Sequence, residues 1–364
     1  MSEKENPKST AAAQSPSVRV PGPSETVPPA VIPGNGAPPL LERAPLAYEN
    51  SAFLNSPEGR PIRIVSEFLE PLGRFRREQI QDTVVFFGSA RFGGREEADH
   101  ELELLDNTGS TQPAPSEEQP AKPKEIATGK ATELQRKRAV AAVEMARYYE
   151  DARRLAQMLT EWVKTIPSRK HRFVVTSGGG PGIMEAANRG AYEAGGKTIG
   201  MNILLPFEQR PNRYITPSLN LEFHYFFMRK LWFAYLAKAL VVFPGGFGTL
   251  DEMFEILTLV QTQKMTKKIT VVIYGPEYWK KVFNLEVLVD MGAISPKDLD
   301  LFQYADSPEQ AFELLRKGLT ENYLLAEAAA AARAGKKKTG NEDDLMAGWS
   351  VDDFLGPELA KTRK

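Results

Sequence analysis

The chain has 364 residues, 42% of them hydrophobic and 26% charged, which is enough apolar sequence to bury a core and too much for a chain unfolded throughout. Its 46 Lys and Arg balance 47 Asp and Glu to a formal net charge of −1, so no global field draws it to nucleic acid or an anionic membrane. An anion it binds must be held by local geometry. The absence of cysteine excludes disulfides, thiolate nucleophiles and cysteine-ligated metals, and His100, His171 and His224 lack the spacing of a zinc site or a Ser-His-Asp triad.

No apolar run approaches the roughly 18 to 20 residues that span a bilayer, and the N-terminal stretch lacks the apolar centre of a secretory signal. A soluble, cytoplasmic protein is the expectation, with neither nucleic acid nor membrane as a partner.

In chain order, residues 1–50 are crowded with Pro, Ser and Ala without a period of 2 or 3.6, and read as a disordered lead segment. A single domain is expected over 51–324. Its first strand is 83–87, ended by Gly88-Ser89. An acidic stretch then gives way to Ser, Thr, Pro and Lys, and about 93–130 reads as a low-complexity insertion that does not cover the ordering cost of its backbone. Val140, Val143, Leu155, Leu159 and Trp162 predict one face of a long helix over 133–164. A strand at 173–176 leads through Ser177-Gly178-Gly179-Gly180-Pro181-Gly182 into a helix from about Ile183, and 198–201 is a third strand. Residues 221–239 read as a helix and 240–243 as a fourth strand, which runs into Pro244-Gly245-Gly246-Phe247-Gly248-Thr249 and another helix. A fifth strand at 269–274 and a helix at 308–321 close the domain, and 325–364 reads as a mostly flexible tail. Near-continuous apolar strands alternating with helices predict an α/β, doubly wound, Rossmann-like parallel sheet covered on both faces.

Two of these strands end in glycine clusters that open helices, which is where such sheets bind ligands. Glycine lets a ligand approach the backbone, and the first helical turn offers free N–H groups at the positive end of the dipole, so both loops suit phosphate. Neither fits the Walker pattern or the Gly-x-Gly-x-x-Gly dinucleotide pattern. Thr249 can present hydroxyl and amide to a phosphate oxygen, with Glu252 three residues later. Arg229 and Lys230 lie within an aromatic helix, where the burial of two cations calls for an anionic partner unless they reach the surface.

The run 244–252 resembles the Pro-Gly-Gly-x-Gly-Thr-x-x-Glu signature of the Lonely Guy (LOG) proteins, the cytokinin riboside 5′-monophosphate phosphoribohydrolases long mislabelled as lysine decarboxylases. Arg229-Lys230 match that family's Arg-Lys pair, Gly178 to Glu185 resemble its other glycine loop, Gly88-Ser89 match its first turn, and Gln261 falls where a later helix carries Gln. Phe226-Phe227 replace the Met-His of the plant-type members, and the first loop has the form of the longer bacterial relatives. By resemblance, the chain hydrolyses the N-glycosidic bond of a purine nucleoside 5′-monophosphate, AMP or an N6-modified AMP. Glu252 and Arg229 would be catalytic. Gly88, Ser89, Gly179, Gly180, Gly182, Lys230, Gly245, Gly246, Gly248 and Thr249 would bind substrate. The resemblance implies a homodimer or higher homo-oligomer and requires no metal or organic cofactor. A decarboxylase would need a lysine suited to pyridoxal phosphate, and none stands out. The alternative is a nucleotide- or molybdenum-cofactor-binding protein of the same fold without turnover.

Overall fold

The computed structural model describes residues 43–107, 129–206, 210–265 and 267–327. It divides into two units. The first, Met1–Ser51, is described only from residue 43, where Glu49 N–H donates to Leu46 O in a turn. Residues 1–42 of the expected lead segment 1–50, and the tail from 328 onward, lie outside the described residues.

The second unit carries the sheet. After the short helix α1 (Ser51–Asn55), α2 (Arg60–Arg77) leads to β1 (Thr83–Phe87), which is buried along its whole length. Its side chains alternate between two apolar layers, Val84 and Phe86 on one face, Val85 and Phe87 on the other. That is why the strand reads as a continuous apolar run. Next come α3 (Arg95–Asn107), α4 (Gly129–Lys164), β2 (Val174–Ser177), α5 (Ile183–Glu193) and β3 (Thr198–Ile203). They are followed by β4 (Asn220–Phe223), α6 (Phe226–Leu236), β5 (Ala237–Val242), α7 (Phe247–Gln261) and β6 (Thr270–Tyr274). The chain continues through α8 (Pro276–Val282), α9 (Leu285–Asp290), β7 (Gln303–Ala305) and α10 (Pro308–Leu319). The seven strands pair in parallel in the order β4-β3-β2-β1-β5-β6-β7. The α/β, doubly wound class expected from the sequence is the observed one. Residues of α4, α5 and α10 pack on one face, and those of α2 and α6 on the other.

Three expectations are corrected. The insertion about 93–130 is helical at its start: α3 packs on α4 with Ala98 buried, and 108–128 lie outside the described residues. The stretch 221–239 is not one helix. Asn220–Phe223 alternates exposed and buried, the period of an edge strand, and Ala237 turns extended to begin β5. Lys267 Nζ donates to the carbonyls of Ala234 and Tyr235 and satisfies the end of α6. On α4, Val140 is exposed and Val143 half-buried, whereas Ala139, Ala146, Ala152, Leu155 and Leu159 are buried. Small side chains, invisible to a search for large apolar ones, let α4 lie close to its neighbours.

Candidate active site

The chain reverses direction across the sheet between β1 and β5, and the crevice beyond their carboxyl ends is where an open α/β sheet takes its ligand. Here it holds a cavity of about 790 Å³. Three loops meet at its floor. Phe243 N donates to Phe87 O at 2.8 Å, Ser89 N to Pro244 O at 3.0 Å and Ile183 N to Ser89 O at 3.0 Å. The β1 turn is thus stitched to both glycine loops by backbone alone.

The glycines divide by what surrounds them. A Cβ on Gly245 would overlap the Thr249 side chain, and one on Gly182, at φ 70°, would overlap the backbone of Ser89 and Ala90. These two are required by packing. Gly246 and Gly248 have nothing within 4 Å of where a side chain would start, yet both line the cavity. Their bareness matters to whatever enters. Gly246 is also the residue before α7, and no side chain caps that helix, so its first N–H groups stand ready for an acceptor.

The second glycine loop is braced from behind by polar groups. Ser177 Oγ donates to Asn188 Oδ1 at 2.6 Å, and Gly179 N donates to Ser177 Oγ at 3.0 Å. Asn212 Nδ2 lies within 3.1 Å of the carbonyls of both Gly179 and Gly180. Gly179, Gly180 and Gly182 therefore shape the site from behind, while Gly178 and Met184 reach the cavity itself. The segment after β3 also contributes to the cavity. Asn202, Ile203 and Leu205 line the cavity, with Asn202 Nδ2 donating to Asn220 Oδ1 and Leu221 O, whereas Asn212 serves the loop, and Phe207 and Gln209 lie outside the described residues.

Arg229 and Glu252 face each other across the cavity wall, Nη2 to Oε1 at 3.2 Å, with side chains 14% and 7% exposed. The guanidinium lies between the rings of Phe226 and Phe233, at 5.2 and 5.5 Å, an arrangement that holds it in place. Its Nε is buried without a hydrogen-bond partner. Burial pushes the Glu252 carboxyl up to about 7, against the pull of Arg229 and Lys230. Burial likewise lowers the Arg229 guanidinium, which stays charged.

The structure brings together Gly88, Ser89, Arg229, Gly245, Gly246, Gly248, Thr249 and Glu252 around one cavity. It does not bring Lys230 there. That ammonium is held outside by Asp251 at 2.8 Å and Glu255 at 3.2 Å. His224 packs its ring edge on Tyr225, and Gln261 donates to Asp298 Oδ2; neither lines the cavity. Sequence reasoning missed Tyr278, whose hydroxyl donates to Gly245 O at 3.0 Å from α8, and Arg91 on the rim. Tyr278 carries no sequence signal, since only the sheet order places it near a loop 33 residues earlier. Among the described residues no group of His, Asp or Glu is arranged to hold a metal, and no helix is long and apolar enough to cross a membrane.

Residues 184–315 match the family model described as "Possible lysine decarboxylase". Among curated proteins, the cytokinin riboside 5′-monophosphate phosphoribohydrolase LOG2 of Arabidopsis thaliana is 23% identical over 172 residues, 47% of this chain and 76% of that protein. LOG7 of the same plant is 27% identical over 125 residues, 34% of this chain and 56% of that protein. The matches thus span from about half to three quarters of those relatives. A solved structure of the Moco carrier protein from Chlamydomonas reinhardtii, 23% identical, covers 47% of this chain and 90% of its own at a TM-score of 0.30, too little overlap to argue from. The family match spans Arg229, the loop 244–249 and Glu252, and over that stretch the chain is similar to the Lonely Guy proteins.

Proposed function

We propose that this protein is a nucleoside 5′-monophosphate phosphoribohydrolase acting on AMP or an N6-modified AMP. The observation that carries the reading is Glu252, a buried carboxyl beside Arg229 and one turn inside the helix whose open N-terminus faces the cavity. A site built only to hold an anion gains nothing from a carboxylate there, because the two charges repel.

In this reading the amides around Gly246, Gly248 and Thr249 hold the 5′-phosphate, and that anchoring orients C1′ against Glu252. The C1′–N9 bond breaks with its electron pair leaving on the base, which takes up a proton. Positive charge develops on the sugar, as in glycoside hydrolysis, and water oxygen then bonds to C1′ with loss of its own proton. Ionised Glu252 stabilises the sugar cation and positions the water, while Arg229 keeps the carboxylate charged and aimed. The products are free base and ribose 5-phosphate.

The test is incubation of the purified chain with AMP, N6-isopentenyl-AMP and a panel of other monophosphates, with free base followed by chromatography. Base release that disappears in Glu252→Gln supports the proposal. No release from any monophosphate, together with nucleotide-induced thermal stabilisation, replaces it with the binding-protein reading. A homodimer is part of the same proposal, supported by the exposed Phe226 and Phe227 on α6, and light scattering showing a monomer at micromolar concentration removes it.

A further inference from the structure

Among the described residues the cations that line the cavity are Arg91 and Arg229. Arg229 is engaged by Glu252, and Lys230 is held outside by Asp251 and Glu255. A phosphate monoester brings about −1.5 to −2 charges, and a helix N-terminus answers with about half a positive charge. Diverting Arg229 to the phosphate would strip the buried Glu252 of its counter-ion. The site therefore needs a further cation.

Arg91 meets that need. It follows the β1 turn, where its backbone N donates to Ser89 Oγ at 3.1 Å, while the Ser89 carbonyl and amide are spent on Ile183 and Pro244. The turn is fixed, and the Arg91 side chain is exposed at the cavity rim with no hydrogen bond or ion pair to a described residue. We infer that Arg91 binds the 5′-phosphate of the substrate from the β1 side while the amides at the start of α7 hold it from the β5 side. Arg91 is thus the residue that selects a phosphorylated nucleoside over the bare nucleoside. The inference rests on the nucleotide reading above.

The experiment is titration calorimetry of the full chain with ribose 5-phosphate, which has no glycosidic base to lose, and with ribose, for the wild type, Arg91→Ala and Arg91→Lys. The wild type should prefer ribose 5-phosphate. Arg91→Ala should lose about 10- to 100-fold in that affinity, the size of a charge-assisted contact, with ribose affinity unchanged. Arg91→Lys should recover part of the loss, since lysine keeps the charge but not the planar fork. In turnover of AMP the same loss should fall on KM, with kcat within about threefold, because Arg91 is remote from the bond that breaks. Full preference for ribose 5-phosphate in Arg91→Ala overturns the inference and leaves the nucleotide reading standing, as does an equal loss for both sugars. A wild type without that preference overturns the phosphate cradle and the inference together. Unchanged thermal unfolding of the variants shows that they fold, as expected at an exposed position.

Discussion

At the scale of single residues, Glu252 and Arg229 act as a unit in the proposed reaction, so their effects should not add. Either Glu252→Gln or Arg229→Gln should lower kcat by about 10² to 10⁴, the range of acid–base groups, and the double variant should cost little more than one alone. Independent, additive losses would show that the two do not cooperate. The proposed chemistry uses ionised Glu252, so activity should rise with pH through about 7, where burial sets that carboxyl. The limb should vanish in Glu252→Gln, while any limb near 6 from the substrate phosphate's own ionisation persists. The stability sign runs the other way. Folded Glu252 holds its proton more tightly than a carboxyl at the ordinary 4.5, so the folded chain binds more protons and loses stability as pH climbs from about 4.5 to about 7. The melting temperature of Glu252→Gln should lack that component of the decline. Gly245 gives a packing prediction instead: Gly245→Ala drives a methyl into Thr249 and should lower the melting temperature, whereas Gly248→Ala, whose Cβ meets only the open cavity, should leave melting unchanged and weaken ribose 5-phosphate binding.

Elements show how much of the site was readable before it was seen. The alternating apolar runs of β1, β2, β3, β5 and β6 and the glycine clusters after β2 and β5 were plain, because buried parallel strands and phosphate-type turns use few residue types. The edge strands β4 and β7 were not. Four residues of alternating burial at 220–223 abut an aromatic helix and merge into its apolar pattern. The division of labour between glycine loops was equally hidden, since Gly179 and Gly246 look alike in sequence and differ in backbone conformation and neighbours. Nor did the sequence distinguish Arg229, turned into the cavity, from Lys230, which one residue of helical rotation sends to Asp251. The brace on the second loop makes its own prediction. Asn188→Leu removes the acceptor used by Ser177 and Asn212 and leaves buried polar groups unpaired, so it should destabilise the fold by about 1–3 kcal/mol and weaken nucleotide binding as well. Wild-type melting in a thermal scan would discount the network.

For the whole molecule, a buried ion pair and the candidate site have separate seats. Arg172 and Asp82 lie just before β2 and β1, at the sheet edge opposite the cavity, joined at 2.9 Å with side chains 5% and 1% exposed. Burial already raises the Asp82 carboxyl, so Arg172→Ala leaves it without its counter-ion and should cost about 3–5 kcal/mol in denaturant unfolding, without changing KM while the chain remains folded. A shift in KM would mean that the two edges of the sheet communicate. The pairing of β1 with β5 carries a consequence for synthesis. The strands that frame the cavity begin at Thr83 and Ala237, and the helix that supplies Glu252 follows the second. A nascent polypeptide released before α7 emerges from the ribosome possesses an unfinished hydrophobic sheet and an incomplete cavity. Metabolite rescue of folding is then open only to chains in which α7 has emerged.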